Sequence, residues 1–289
     1  MLVAINDRVK NLKIPDWGIG RVLDVTHDGK VRIFFINGGE KLLVLKHISL
    51  EKIEGADAIH PILDNPTFAA RATGKEHKGL PDARAEFISL FPDGFKDHQY
   101  LRQERDYKVN AHRLLLELLG KEAFSALLAA EDFKEIVKRA LQVVNKTNLI
   151  FPNEKMALKD GLIKDPANEA LFANALFALL HGAGSMKNRF EGFASALGRC
   201  DASKWTTATY FLFLAFPEEH MFLKPTVTQH AADLVKAELS YRSELNWQTY
   251  SCLLEFAGYL KTELVKMGME PRDMIDVQSF MWCIAPGKY

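Results

Sequence analysis

The stretch VKNLKIPDWGIGRVLDVTHDGKVRIFFINGGEKLLVL, residues 9–45, decides how the N-terminal part of this chain folds. Val31, Ile33 and Phe35 alternate with Arg32 and Phe34, so an extended segment here has one apolar face and one mixed face. Asp28-Gly29 carries a hairpin signal and Asn37-Gly38-Gly39 a second turn. Gly18 and Gly20 flank Ile19 where the chain must bend sharply or bulge. Five short strands in an open sheet would leave long unpaired edges, and curling them into a small barrel removes the problem. Residues 1–54 are therefore expected to form a five-stranded barrel with Trp17 and Phe35 at least partly buried. Arg21 and Arg32 alternate away from the apolar face and are expected to be exposed.

The period changes downstream. Residues 55–85 hold Pro61, Pro66, Pro81, Gly74 and Gly79 and read as a partly docked linker. From about residue 86 the apolar spacing becomes helical. Tyr250, Leu253, Leu254, Ala257, Leu260 and Leu264 form one stripe, with Asn246 as its N-cap. Thr226 and Gln229 read as a capping box ahead of Val227, Ala231, Leu234 and Val235. Pro271 reads as a first-turn residue before Met274, Val277, Met281 and Ile284. Similar patterns predict helices over 98–119, 121–130, 132–146, 153–163, 166–181, 186–198 and 203–216. The expected fold class is α+β multidomain: a small SH3/Tudor-like barrel over 1–54, a linker over 55–85 and an all-α domain over 86–289.

Composition narrows the function. Lys+Arg and Asp+Glu both number 37 among 289 residues, so any polyanion contact must come from a local patch rather than from the whole chain. Cys200, Cys252 and Cys283 are odd in number and far apart, which argues against a disulfide framework and fits reduced thiols in a cytoplasmic protein. Apolar windows such as EALFANALFALL are too short to span a bilayer, so no membrane partner is expected.

The residues Asp7–Val9, Pro15–Gly20, Val31–Phe35, Gly38–Lys41 and Leu50–Ile53 resemble the small Tudor-like module at the C-terminal end of UvrD/PcrA-type repair helicases and in a family of short bacterial proteins. Ile14 stands where that pattern has a histidine. The resemblance covers about 50 residues. It implies a bacterial or phage protein, and a module that docks on RNA polymerase or nucleic acid and does no chemistry, with Trp17, Arg21 and Arg32 as docking candidates. Segments of the helical body, such as RDMIDVQSFMWCI, resemble bacterial proteins found near restriction or defence functions. A fainter likeness to helical glycosylases fails at Lys224-Pro225-Thr226, where that fold places its catalytic Asp.

Searches for chemistry return little. HGAGSMKNRF, residues 181–190, is a glycine-containing turn into a helix with Lys187, Asn188 and Arg189 at its start, but it lacks P-loop spacing. Pro15-Asp16 with Asp28-x-Lys30, and Pro92-Asp93 with Asp106-x-Lys108, loosely match a restriction-type nuclease frame. No zinc-ligand spacing, nucleophile elbow or cofactor motif occurs, so no catalytic residue, metal ligand or cofactor is assigned. Arg199, Lys204 and Lys224 join Lys187, Asn188 and Arg189 as nucleic-acid contacts if three helix starts converge. The expectation is an adaptor that docks through its barrel onto nucleic acid or a nucleic-acid-processing protein, with a helical DNA- or protein-binding body. A metal-dependent nuclease or DNA-base enzyme of a defence or repair system is the alternative, and a structural subunit of a larger complex the third. The sequence leaves the oligomeric state open.

Overall fold

The computed structural model describes residues 3–26, 28–66, 68, 72 and 79–288. The period-two region forms strands β1 (Arg8–Asn11), β2 (Ile19–Val25), β3 (Lys30–Phe35), β4 (Gly39–Val44) and β5 (Leu50–Ile53). They make one antiparallel sheet in the order β4-β3-β2-β1-β5. Every strand sends side chains into a single core, in which Val9, Val22, Val31, Ile33 and Phe35 are fully buried and Leu43 and Leu50 pack alongside. A register shift between Val22 and Asp24 bends β2. Gly29, at φ +78°, closes the β2–β3 turn in a conformation that L side chains rarely adopt. Phe34, expected on the mixed face, is also buried and meets Phe68 edge-on at 5.1 Å. The second face of β3 is therefore covered at Phe34.

Eleven α-helices of eight residues or more follow among the described residues: α1 (Leu80–Leu90), α2 (Asp106–Leu119), α3 (Lys121–Ala129), α4 (Phe133–Asn145), α5 (Pro152–Ile163), α6 (Pro166–His181), α7 (Met186–Arg199), α8 (Trp205–Ala215), α9 (Pro225–Leu234), α10 (Trp247–Lys266) and α11 (Met274–Cys283). A short turn at His98–Tyr100 and a π-helical turn at Leu101–Arg105 lead into α2. Asn246 caps α10 by accepting from the Thr249 N–H at 2.8 Å, as the sequence predicts. Two start signals are displaced. Helix α9 begins at Pro225, so Thr226 lies inside its first turn. Helix α11 begins at Met274 behind Asp273, whose carboxylate accepts from the N–H groups of Ile275 and Asp276, so Pro271 precedes the helix.

The chain packs as two compact units. The first takes residues 1–90, 229–238 and 284–289; the second takes 91–228 and 239–283. This division differs from the one expected at residues 54 and 86. In the first unit, Ile62 and Leu63 are buried, and Arg8 pairs with Asp64, so part of the expected linker is packed into that unit.

In the second unit α8 is the innermost element. All eleven of its residues are buried, and it packs with α2, α6 and α7. Its polar atoms are satisfied by hydrogen bonds: Tyr210 donates to the Val143 carbonyl at 2.9 Å, and Thr209 donates to Trp205 O while accepting from Leu223 N. Each buried Phe or Leu contributes roughly 1.5–3 kcal/mol of transfer free energy, so this helix drives the unit together.

Packing tolerance differs sharply between two glycines. A Cβ at Gly161 in α5 would overlap the carbonyl oxygen of Cys200, whereas one at Gly192 in α7 meets nothing within 4 Å. Gly161→Ala is expected to destabilise by about 1–3 kcal/mol through overpacking. Gly192→Ala should stabilise by about 0.5–1 kcal/mol through helix propensity. Urea unfolding of both variants checks the pair.

His220 is 5% exposed and its ring stacks on Tyr250, with Nδ1 3.1 Å from the Tyr250 hydroxyl. Burial pushes its pKa down to about 4, with Arg189 adding to the depression and Glu219 opposing it. The unfolded chain thus binds this proton more readily than the folded one. The resulting stability is complete above about pH 6.5 and is lost as the pH falls to about 4, by up to roughly 3 kcal/mol. Denaturation measured across that window should show this slope, and His220→Phe should flatten it.

Candidate docking and ligand sites

The strand module presents its three docking candidates differently. The 3-10 turn Pro15–Trp17 lays Trp17 against Phe35 with ring centroids 5.1 Å apart, and the Lys41 ammonium sits 5.3 Å from the Trp17 ring centre. Gly38 is the only residue size that fits beneath the indole, because a Cβ there would approach it to 2.6 Å. Arg21 is half-buried rather than exposed. Its guanidinium donates to the Asn6 side chain at 2.7 Å and to the Leu63 carbonyl at 2.7 Å, and lies 5.8 Å from the Phe68 ring. Desolvation is the main cause lowering its pKa, with Arg8 adding to it. Those contacts give Arg21 a structural task. Arg32 keeps an open side chain, 43% exposed, with Glu40 at 3.6 Å. Directly opposite Arg32 in the ladder is Leu42, 61% exposed on β4, a terminal strand of the sheet.

The basic residues expected to converge in the helical body are dispersed. Lys187 and Asn188 are exposed in the first turn of α7, behind the Ser185 cap. Arg189 turns inward and donates to the Leu179 carbonyl at 3.1 Å. Arg199 sits at the opposite end of the same helix, about 18 Å along the axis from Lys187 at 1.5 Å per residue. Lys204 is exposed at the start of α8. Lys224 is buried at 9% exposure and cannot meet a duplex surface. The nuclease frames do not assemble either. Asp28 pairs with Lys30 in the hairpin turn, and Asp106 is exposed while Lys108 points inward. Among the described residues no three His, Cys, Asp or Glu side chains gather as a metal site, and no helix is long and apolar enough to cross a membrane.

Sequence reading missed a buried polar cluster in the second unit. Asp276 on α11 is fully buried and accepts from the Tyr100 hydroxyl, from Arg105 at 2.8 Å and from Arg272 at 2.8 Å. Arg105 also makes a paired contact with Asp273, at 2.8 and 2.6 Å. Desolvation raises the Tyr100 pKa and the charge of Asp276 adds to it, so the phenol stays a donor. Next to this network, Glu104, Tyr107, Lys108, Asn148, Leu149, Lys224, Gln278 and Trp282 line a cavity of about 40 Å³. Lys108, 1% exposed, donates to Ser279 Oγ at 2.7 Å and lies 3.5 Å from Glu104. Desolvation pulls its pKa down. The Lys224 ammonium is 3.3 Å from the Leu149 carbonyl, 4.1 Å from the Phe151 ring centre and 4.7 Å from that of Trp282. The π turn just upstream of Lys108 is a feature that recurs at functional sites. Two signals were available. Glu104 and Lys108 stand four apart, which reads as a surface pair until burial is known. Asp276, Gln278 and Ser279 interrupt a helix that is otherwise apolar all round.

Asp276 neutralises the largely buried Arg105, 11% exposed, together with the half-open Arg272, and accepts from the buried Tyr100, so its removal breaks a buried polar network. Asp276→Ala is expected to cost about 3–5 kcal/mol, measured by chemical denaturation.

A family described as a protein of unknown function, DUF3553, matches residues 6–53, the whole of the sheet. No curated protein and no solved structure matches the chain.

Proposed function

We propose that this chain is a docking protein of nucleic-acid machinery, in which the strand module attaches to a protein partner such as RNA polymerase and the helical unit acts where it is delivered. The observation that carries this reading is the pairing of Arg32 and Leu42. Arg32 on β3 and Leu42 on the neighbouring terminal strand β4 form a cationic and apolar couple beside an edge of the kind that partner chains extend or cover. The resemblance of residues 7–53 to Tudor-like modules supports the same role. A direct duplex-binding role for the helical unit is less favoured, because Lys187, Arg199 and Lys204 are spread out and Lys224 is buried.

The test is binding of the purified chain to purified bacterial RNA polymerase, with duplex and single-stranded DNA in parallel. The double variant Arg32→Gln, Leu42→Thr is expected to weaken polymerase binding by about tenfold or more while shifting the thermal midpoint little, because neither change adds a charge opposite Glu40 and both side chains are largely open to solvent. Polymerase binding that ignores this variant, or its absence, would remove the reading. DNA binding lost on Lys187→Ala, with a log-affinity against log-salt slope reduced by about one, would replace it with the duplex reading.

A further inference from the structure

We propose that the groove between α4 and α5 is a docking site for an amphipathic helix of a partner protein, one whose apolar face is flanked by glutamates or aspartates. Every residue lining the groove belongs to the helical unit, so the inference is independent of the docking reading for the strand module.

Shape is the first argument. Helices α4 and α5 both pack against α6, and a groove of about 810 Å³ runs between them. Val137, Leu141 and Val144 line it from α4, and Met156 and Ile163 from α5. Met156 is 64% exposed and Ile163 is 50% exposed, and they stand seven residues apart on one face of α5, so this apolar wall lacks a cover among the described residues. A sizeable apolar patch with a polar rim marks an interaction surface. Along α4 the lining runs from Lys134 to Asn145, a span of about 16 Å at 1.5 Å per residue. That is about three helical turns, which matches a docked helix anchored at positions i, i+4 and i+7. A small amphiphile suits the groove less well, because ligand pockets enclose about 70–90% of their ligand and this wall is open. The bordering elements are helices, so an extended peptide finds no strand edge to pair with.

Charge is the second argument. Lys134 and Lys138 on α4 and Lys155 and Lys159 on α5 line the groove together with one carboxylate, Glu169. Lys138 pairs with Glu135 at 2.9 Å, and Lys155 donates to the Thr147 carbonyl at 2.6 Å. Lys134 and Lys159 are exposed and make no ion pair with a described residue. Each wall thus carries two like charges four residues apart, an arrangement that is mildly destabilising by itself. Carboxylates on a docked helix relieve both repulsions. The lysine stems meanwhile extend the apolar lining and leave their ammonium groups at the rim. An apolar floor between two cationic rims is the complement of a helix with leucines on one face and acidic residues on its flanks.

The probe is a synthetic helical peptide of about 15 residues, with leucines at i, i+4, i+7 and i+11 and glutamates flanking them. One twin carries lysines in place of the glutamates and another alanines in place of the leucines. Calorimetric titration of the full chain should show one acidic peptide bound per chain, with both twins weaker by about tenfold or more. Lys134→Gln with Lys159→Gln should weaken the acidic peptide by about five- to tenfold, and Met156→Gln with Ile163→Gln by about tenfold or more. All four side chains are exposed, so the thermal midpoint should shift little. Lys187→Ala, outside the lining, should bind as the parent does. No binding of the acidic peptide, equal binding of the acidic and basic peptides, or unchanged binding in folded Met156→Gln, Ile163→Gln overturns the proposal. Three other occupants are tested on the same parent and variant: dodecanoate, phosphatidylglycerol vesicles, and a second copy of the chain followed by sedimentation. Binding of any of these that exceeds the peptide's and is lost in Met156→Gln, Ile163→Gln overturns it as well.

Discussion

One fully buried carboxylate, Asp276, organises the C-terminal half of the helical unit. A charge at zero exposure is tolerated only when it is neutralised and hydrogen-bonded. Asp276 meets that condition by drawing Arg105 from the π turn, Arg272 from the segment before its own helix and Tyr100 from the short turn further upstream. Residues some 170 positions apart are thereby fixed to one point. Glu104, Arg105 and Lys108 share a side of their helical segment, so anchoring Arg105 also aims Lys108 at Ser279 and the cavity. The polar cluster and the cavity beside it are consequences of satisfying that one group.

The sheet and the helices were legible because their signals are local. Period-two alternation from Val31 to Phe35 and the Asp28-Gly29 turn fix β2, β3 and their connection without reference to the rest of the chain. Ser185 and Asn246 act as caps through bonds to residues three positions away. What the sequence concealed depends on distant partners. Arg21 reads as exposed because it alternates with core residues, but its role is set by Leu63 and Phe68 more than forty residues on. Lys224 reads as one more cation near a helix start, and only Phe151, Leu149 and Trp282 reveal it as interior. Helix α8 is apolar all round, and its centrality was readable in principle. A stripe-based reading looks for one face and overlooks a helix with four.

The zero net charge of the chain takes on a more specific meaning against this structure. The balanced total is matched by pairing within single helices at the surface. Surface lysines such as Lys138 and Lys266 sit beside their own helical glutamates.

The first unit is assembled from three separated pieces of chain, residues 1–90, 229–238 and 284–289. They meet around a small pocket lined by Ala83, Glu86, His230, Leu234, Ile284 and Pro286. Neither unit can be excised as one continuous fragment. During synthesis, which proceeds at about 5–20 residues per second, the sheet can form early while its unit stays incomplete until residue 284 and its successors emerge. Completion of the first unit thus waits on residues 284–289, long after its sheet has been synthesised.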